Sequence, residues 1–269
     1  NGARTIDVRV RNASHVWLKE NLWNVGARHL PHDCAYVLFC DADVHFVNPH
    51  AATEIVHALQ EHRVVQPFET AVDQGPQGQV MDVHRSFGWC YAHGWPWRPR
   101  HDGKGGYAAS KMEGVSRYAG YGTPWHPGYA LAMRKAVLDR LPLLETGILG
   151  AGDHHMMGAL IGAAELTVPA NVHPNYRAAV LAWQARAAEV VNRDLGYVRG
   201  TILHAFHGAK ANRRYVSRWD VLVRHAFDPV ADVYHNAQGV LELTDAKPAM
   251  RDAMRAYFRQ RDEDGLDMG

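Results

Sequence analysis

The hydrophobic positions in the first 70 residues alternate between extended and helical spacing. Short apolar runs bounded by polar residues predict strands, whereas apolar residues three and four positions apart predict helices. In chain order we predict a strand at 5–10, a helix capped by Ser14 and ending near Leu30, a fully buried strand at 36–40, a helix entered at Pro49 and a strand at 64–68. This β-α-β-α-β order favours an α/β fold with a mainly parallel sheet.

The rest of the chain leaves that alternation and then returns to it. Glycine, aromatic and basic residues between 74 and about 124 have no clean period, and so long a stretch predicts a functional loop. After it we predict a strand at 128–133, a helix at 134–141, a glycine-rich loop at 147–152 before a helix capped by Asp153, a helix from Pro174 to about Leu195, a strand at 197–206 and a terminal helix at 247–261.

Composition adds limits rather than a function. The 269 residues are 47% hydrophobic and 21% charged, which is ordinary for a globular protein. A net charge of +1 gives no electrostatic basis for a nucleic-acid partner, and without an apolar run of about 18 residues we predict no membrane span. Three cysteines without metal-type spacing predict a reducing, cytoplasmic compartment. Because the chain opens without Met or a signal peptide, we expect it to be part of a longer protein.

Two carboxylates follow the predicted strand at 36–40. Asp41 and Asp43 are one residue apart, so their side chains converge if the chain stays extended. Carboxylate oxygens suit Mn²⁺ or Mg²⁺, which keep positions open for substrate phosphates. The alternative is that Asp-Ala-Asp only begins a turn before the helix at Pro49. Its place after a buried strand favours the metal-diphosphate site.

A second candidate group lies near the last predicted strand. His204 and His207 are three residues apart and face one metal ion if the strand bends there. Basic residues beyond them, namely Lys210, Arg213 and Arg214, would neutralise charge on a departing diphosphate. The alternatives are a hydrogen-bonded strand histidine at 204 and a solvated face at 213 and 214.

Asp153 and several aromatic residues complete the candidate set. A carboxylate beside a metal-diphosphate site can take the proton from an acceptor hydroxyl; the alternative is that Asp153 serves only as a helix cap. Indole faces suit the apolar C–H faces of sugars, or else form a cluster that covers the sheet. The candidates for the acceptor side are Trp89, Trp95, Trp97, Trp125 and His154.

The order of these motifs resembles the GT-A class of nucleotide-sugar glycosyltransferases. Asp41-Ala42-Asp43 matches its Asp-x-Asp, Gly128-Tyr129-Ala130 with Gly152-Asp153 its acceptor strand and base, and His204-x-x-His207 its late metal ligands, which are similar to those of β-1,4-galactosyltransferases. A bacterial and viral branch related to family 2 shares further motifs, namely Trp17-Leu18-Lys19-Glu20-Asn21, Asn24-Val25-Gly26, His207-Gly208, Arg214-Tyr215, Arg218, Phe227-Asp228-Pro229, Tyr257-Phe258-x-x-Arg261 and Glu263-Asp264-Gly265.

The resemblance implies a single GT-A domain, Rossmann-like, with a central mixed sheet that lacks the first N-terminal strand. It would comprise a donor and metal half at 1–70, the loop region at 74–124, an acceptor half at 125–208 and a helical tail at 209–269. Asp43 would be the principal metal ligand, Asp41 would bind ribose or metal, and Asp153 would be the base of an inverting transfer. The donor, a UDP-sugar in the first instance, would contact Lys19, Asn21, Asn24, Lys210, Arg213 and Arg214; the acceptor would be a saccharide or another hydroxyl compound.

Two departures from the family and two rival classes are also visible. Family members begin with a strand and turn that hold the nucleobase, and we expect about 50 residues of that kind to be absent here. Asp153 is followed by histidine where many relatives have two adjacent acids. The first rival is a DHH-type Mn²⁺ phosphoesterase, which also pairs Asp-x-Asp with Asp153-His154-His155. The second is a non-catalytic domain that binds sugars through its tryptophans. Retention of both metal motifs favours the transferase.

Overall fold

The computed structural model describes residues 5–95, 97, 100–101, 107–108, 123–214 and 217–261. The helices are α1 (Lys19–Ala27), α2 (Ala51–Glu61), α3 (Phe87–Ala92), α4 (Lys135–Leu138), α5 (Gly152–Leu160), α6 (Pro174–Val190), α7 (Trp219–Arg224) and α8 (Pro248–Arg261), with 3-10 turns at Ala164–Thr167 and Lys210–Arg213. The strands are β1 (Tyr36–Cys40), β2 (Val44–Phe46), β3 (Val64–Gln66), β4 (Thr70–Gln74), β5 (Val80–Ser86), β6 (Arg100–His101), β7 (Tyr107–Ala108), β8 (Thr123–His126), β9 (Ala130–Arg134), β10 (Leu195–Tyr197), β11 (Thr201–His204), β12 (Val233–His235) and β13 (Leu241–Leu243).

The longer strands form two mixed sheets, ordered β1-β9-β3-β10 and β2-β11-β4-β5-β8. The pairs β3/β10, β4/β11 and β5/β8 are parallel, whereas β1/β9, β3/β9, β2/β11 and β4/β5 are antiparallel. The α/β class is confirmed. The expected mainly parallel single sheet is wrong, because β9 runs antiparallel between β1 and β3 and because β4 and β5 form a hairpin.

The chain passes between the two sheets through short connections that lie side by side. Three residues each join β1 to β2, β3 to β4, β8 to β9 and β10 to β11. Hydrogen bonds tie these crossings together: the Asp41 amide donates to the Tyr129 carbonyl (2.9 Å), and the Ala205 amide donates to the Asp43 carbonyl (2.9 Å). Residues far apart in sequence therefore meet along one line, which we call the seam.

A large apolar core lies against the first sheet and holds the helices in place. Met157 of α5, Tyr176 and Val180 of α6, and Met254 of α8 are almost completely buried in it. Burial of each large apolar side chain contributes about 1.5–3 kcal/mol, so this core fixes where α5 begins relative to the seam. No helix in the described ranges has the length and apolarity needed to cross a membrane.

The first 40 residues differ from the prediction in three places. Residues 5–10 form no strand. The first helix begins at Lys19 instead of after Ser14, because the Ser14 hydroxyl accepts a hydrogen bond from the Leu243 amide (2.9 Å) and so anchors β13. The strand at 36–40 is confirmed, but it is a sheet edge and Leu38 is 42% exposed, so it is not fully buried.

Later elements also differ from their predicted bounds. The predicted loop at 74–124 contains β5, α3 and the start of β8. These elements were not predicted because glycine, aromatic and basic residues are mixed in this region without a clean period. The helix expected to reach Leu195 ends at Val190, and the strand expected at 197–206 is divided into β10 and β11. The division falls at Gly200, whose φ of +131° breaks the extended backbone.

Candidate metal centre and cleft

The seam opens into a cleft of about 570 Å³. Ligand sites of small molecules typically have volumes of about 300–1,000 Å³. Five carboxylates, five imidazoles and four cationic side chains line the cleft: Glu20, Asp41, Asp43, Asp73 and Asp153; His84, His126, His154, His204 and His207; Lys19, Arg213, Arg218 and Arg261. So dense a set of titratable groups suits metal binding and proton transfer.

Asp43, His204 and His207 form a compact triad at one side of the cleft. Asp43 Oδ2 lies 3.0 Å from His207 Nε2 and 3.4 Å from His204 Nε2, and the two Nε2 atoms are 3.1 Å apart. The antiparallel pairing of β2 with β11 brings the segments together, since Val44 pairs with His204. The structure therefore brings three of the four predicted metal ligands to one point.

The triad has the dimensions of one face of a metal coordination shell. Adjacent ligands of an ion with bonds of about 2.1 Å lie about 3.0–3.5 Å apart in octahedral or tetrahedral geometry. The other carboxylate oxygen of Asp43, Oδ1, is buried and has no hydrogen-bond partner in the described structure. Two imidazoles and one carboxylate, with an electron-rich oxygen left over, fit a divalent cation.

The charges around the triad stabilise a cation at this position. Burial alone would lower the pKa of His204, but its hydrogen bonds to the Asp43 and Asp73 carboxylates, together with their negative charges, outweigh burial and raise it. Burial would raise the pKa of Asp43, but the two histidines outweigh it and hold that pKa below its ordinary value. The carboxylate is therefore ionised at neutral pH, as a metal ligand must be.

Asp41 does not join the triad, which corrects the expected convergence of the two carboxylates. The Val44 amide donates to the Asp41 carbonyl (3.2 Å), so the chain turns instead of staying extended. The Asp41 carboxylate instead binds Lys19, with Nζ 2.7 Å from Oδ1 and 2.8 Å from Oδ2. Burial raises the pKa of Asp41, and Lys19 opposes that rise.

Asp153 lies in the first turn of α5 and lines the same cleft. The N-cap of α5 is Ala151, with φ +79°, so the predicted capping role of Asp153 is wrong. Asp153 Oδ1 instead accepts a hydrogen bond from the His154 amide (2.7 Å). A Cβ on Gly128 would lie 2.6 Å from Asp153 Oδ2, so only glycine lets the β8–β9 connection approach this carboxylate.

Glu20 is a site residue that the sequence reasoning did not assign. Its side chain is buried (3% exposed) in the cleft wall, and its carboxyl lies against Gly152, where a Cβ would be 2.5 Å from Glu20 Cδ. Burial raises the pKa of Glu20 to about 7. Burial also lowers the pKa of Lys19, but Asp41, Asp153 and Glu20 together raise it above its ordinary value.

The predicted donor residues divide into two groups. Lys19 and Arg213 line the cleft, and Arg213 donates from an NH2 nitrogen to His207 Nε2 (2.7 Å). The structure does not bring Asn21, Asn24 or Arg214 to the cleft. Asn21 bridges Gly239 and Leu241, Asn24 binds Leu143 and Glu145, and Arg214 is exposed. The side chain of Lys210 lies outside the described residues.

The four predicted sugar-stacking tryptophans do not line the cleft. Trp125 is only 2% exposed and meets Phe87 edge to face at 4.8 Å, and Trp97 packs on the same Phe87. Trp89 meets Trp95 edge to face at 5.1 Å. The structure therefore favours the alternative, an aromatic cluster that covers the sheet. His154, the fifth predicted acceptor residue, does line the cleft.

Further cleft residues have no assigned role in the sequence prediction. They are Asp73 and His84 on the β4–β5 hairpin, Tyr129 in the β8–β9 connection, His126 at the end of β8, and Arg218 and Arg261 near the C-terminus. Arg218 and Arg261 belong to the motifs of the resemblance, and that was the available signal for them. Asp73 and His84 had no such signal, because no strand was predicted for the hairpin that carries them: His84 fell in the predicted loop, and Asp73 fell just before it, where no element was assigned.

Comparisons with protein-family models, with curated proteins and with solved structures gave no match. The GT-A assignment therefore stays a prediction from the motifs and is argued below from the cleft.

Proposed function

We propose that this protein is a metal-dependent glycosyltransferase that moves a sugar from a nucleotide-diphosphate sugar to an acceptor hydroxyl with inversion. The observation that carries the proposal is the Asp43–His204–His207 triad in the same cleft as Asp153. The first group would hold a metal-bound diphosphate and the second would deprotonate an acceptor. A UDP-sugar is the proposed donor on the resemblance of the motifs.

The metal ligands of the triad, two imidazole nitrogens and one carboxylate, favour Mn²⁺ over Mg²⁺. Mg²⁺ takes oxygen ligands almost alone, whereas imidazole nitrogens suit later divalent metals. When bound, the ion would neutralise charge on the departing nucleoside diphosphate. Arg213, which lies 2.7 Å from His207 Nε2, would turn to the phosphate oxygens once the ion takes that nitrogen.

Asp153 is the proposed general base. An acceptor hydroxyl in the cleft would give its proton to the Asp153 carboxylate, while the hydroxyl oxygen forms a bond to the anomeric carbon. The bond from that carbon to the diphosphate oxygen breaks on the opposite face, and its electron pair leaves with the nucleotide. A single in-line displacement of this kind inverts the anomeric centre.

The two rival functions lose support from the positions of their key residues. In a DHH-type phosphoesterase the Asp-His-His string would serve the metal site, but His155 is completely buried and binds Thr167 Oγ1 (2.7 Å) and the Tyr176 hydroxyl (2.9 Å). A sugar-binding domain would expose several tryptophans in the cleft, whereas Trp17 lines it and the four predicted ones, Trp89, Trp95, Trp97 and Trp125, lie elsewhere.

The test is a thermal-shift screen of UDP, GDP, CMP and TDP, each with and without Mn²⁺, followed by an assay of nucleotide release from the matching sugar donor. We expect one nucleotide to raise the Tm only with Mn²⁺. Asp43→Asn should abolish both the shift and the release, whereas His45→Gln, on the exposed neighbour in β2, should keep both. Activity of Asp43→Asn within threefold of the parent protein would refute the metal assignment.

A further inference from the structure

A buried polar network stands directly behind His204. Asp73, only 3% exposed, lies 2.9 Å through Oδ1 from His204 Nδ1 and 2.9 Å through Oδ2 from His84 Nε2. The Tyr129 hydroxyl donates to the same Oδ1. One buried carboxylate thus accepts hydrogen bonds from three side chains, which come from β11, β5 and the β8–β9 connection.

We propose that Asp73 is the positioning residue that makes His204 a metal ligand, with Tyr129 and His84 fixing Asp73 in place. The inference rests on the proposed metal site. A neutral imidazole carries one N–H, and the nitrogen without it supplies the lone pair for a metal. Because Asp73 accepts from Nδ1, the proton of His204 is held there and the Nε2 lone pair points at Asp43 and His207.

Strand register builds this arrangement into the backbone. His204 and Asp73 are directly paired in the parallel β11/β4 ladder, and His84 pairs with Ala71 in the antiparallel β4/β5 ladder. Because side chains two residues apart on one strand share a face, Asp73 and the partner of Ala71 point the same way. The hairpin therefore delivers a carboxylate and a second imidazole to the back of the triad.

Tyr129 couples the network to the Asp-x-Asp turn. Its φ of +76° is unusual for a non-glycine residue and costs about 1–3 kcal/mol, which the surroundings must offset. Its carbonyl accepts from the Asp41 amide (2.9 Å) while its hydroxyl holds Asp73. A single strained residue thus sets both the turn that carries Asp43 and the carboxylate behind His204.

Burial of the Asp73 carboxylate is unfavourable in free energy, and its hydrogen bonds explain how the folded protein tolerates it. A buried carboxylate is strongly unfavourable unless hydrogen bonds satisfy its oxygens. Here Oδ1 accepts hydrogen bonds from His204 and Tyr129, and Oδ2 accepts one from His84. Apolar side chains at Asp73 and at its three partners together would often be at least as stable as this network, so a role in orienting His204 accounts for a carboxylate that stability alone would not select.

The first experiment measures Mn²⁺ affinity directly, by electron paramagnetic resonance of the free ion, and needs no turnover. Ligand-orienting groups of this kind typically change metal affinity by about 10–100-fold. Asp73→Asn keeps an acceptor oxygen for His204 and should lose about 10-fold, and Asp73→Leu should lose about 100-fold. His45→Gln should bind Mn²⁺ as the parent does. A folded Asp73→Leu protein with affinity within twofold of the parent would overturn the inference.

The second experiment does not depend on any variant folding. Nitrogen-15 NMR of the metal-free parent protein, at alkaline pH where the ring is neutral, should find the His204 proton on Nδ1; a proton on Nε2 overturns the inference. Mn²⁺ binding by the parent with unchanged affinity in both Asp73 variants refutes the role of Asp73 alone. No Mn²⁺ binding by the parent refutes the proposed function, and this inference with it.

Discussion

Two groups in this molecule contain one aspartate and two histidines each, and they differ in where their ring nitrogens point. In the triad, Asp43, His204 and His207 come from separate segments and point Nε2 and carboxylate atoms at one another within 3.4 Å. At 153–155 the three residues are consecutive, but both ring nitrogens of His155 already bind Thr167 and Tyr176. Residue type alone therefore does not make a metal site; the ring nitrogens and the carboxylate must also converge on one point.

The two groups also differ in electrostatics. Carboxylates raise the pKa of His204 in spite of its burial. Burial, together with the smaller effect of the positive charge of Arg218, lowers the pKa of His155 to about 3. His155 therefore stays neutral in the folded protein. The stability that it contributes is complete above its ordinary pKa of 6.5 and is lost as the pH falls from there towards 3.

The largest effect should come from replacing the aspartate of each group in turn, Asp153 in one variant and Asp43 in another. Asp153→Asn removes the base but leaves the triad intact, so turnover should fall by about 10²–10⁴-fold with Mn²⁺ and nucleotide affinity unchanged. Asp43→Asn should instead lose Mn²⁺ binding. Steady-state kinetics and Mn²⁺ titration of both variants separate the two roles. Loss of metal affinity in Asp153→Asn would show that the two groups form one site.

The next effect separates the histidines by stability. His155→Gln leaves Thr167 and Tyr176 imperfectly paired in the core, so its free energy of unfolding should fall by about 2–4 kcal/mol while Mn²⁺ affinity holds. His207→Gln should lose at least about 10-fold in Mn²⁺ affinity with little change in stability. Urea unfolding and Mn²⁺ titration of both variants provide the check. Equal unfolding free energies of His155→Gln and His207→Gln would contradict the structural role of His155.

The sequence predicted the residues of the triad better than their arrangement. Short-range signals sufficed for Asp43, His204 and His207, because each follows or ends a strand that the apolar pattern located within a few residues. The convergence of Asp41 with Asp43 failed, since whether a chain extends or turns after a strand depends on partners such as Lys19 and Tyr129. Those partners are distant in sequence, and periodicity carries no information about them.

The failures at the back of the site have a different cause. Asp73 and His84 lie on a hairpin whose strands carry charged and polar residues, because one face of it is the cleft wall. A polar strand has no apolar alternation to recognise, so no element was predicted for residues 69–73, and the residues from 74 onwards were predicted as loop. The prediction that tryptophans line the acceptor side of the cleft was wrong for another reason. Their apolar side chains pack against one another and against the core, as large apolar side chains do in most proteins.

The smallest effect concerns Glu20, which lines the cleft, follows Lys19 in the chain and lies against Gly152 of α5. Burial raises its pKa to about 7 from 4.5, so the folded protein favours the neutral carboxyl. Its contribution to stability is complete below pH 4.5 and is lost as the pH rises through 7.

Glu20→Gln mimics that neutral form at every pH. Relative to this variant, the parent should therefore lose about 1–3 kcal/mol of unfolding free energy between pH 5 and pH 8. Urea unfolding at the two pH values measures the difference, and Glu54→Gln on the exposed side of α2 is the matched control that should follow the parent. A parent and a Glu20→Gln variant with identical pH dependence would mean that Lys19 keeps Glu20 ionised throughout. Glu20 would then belong to the charged wall of the cleft together with Asp41 and Asp153.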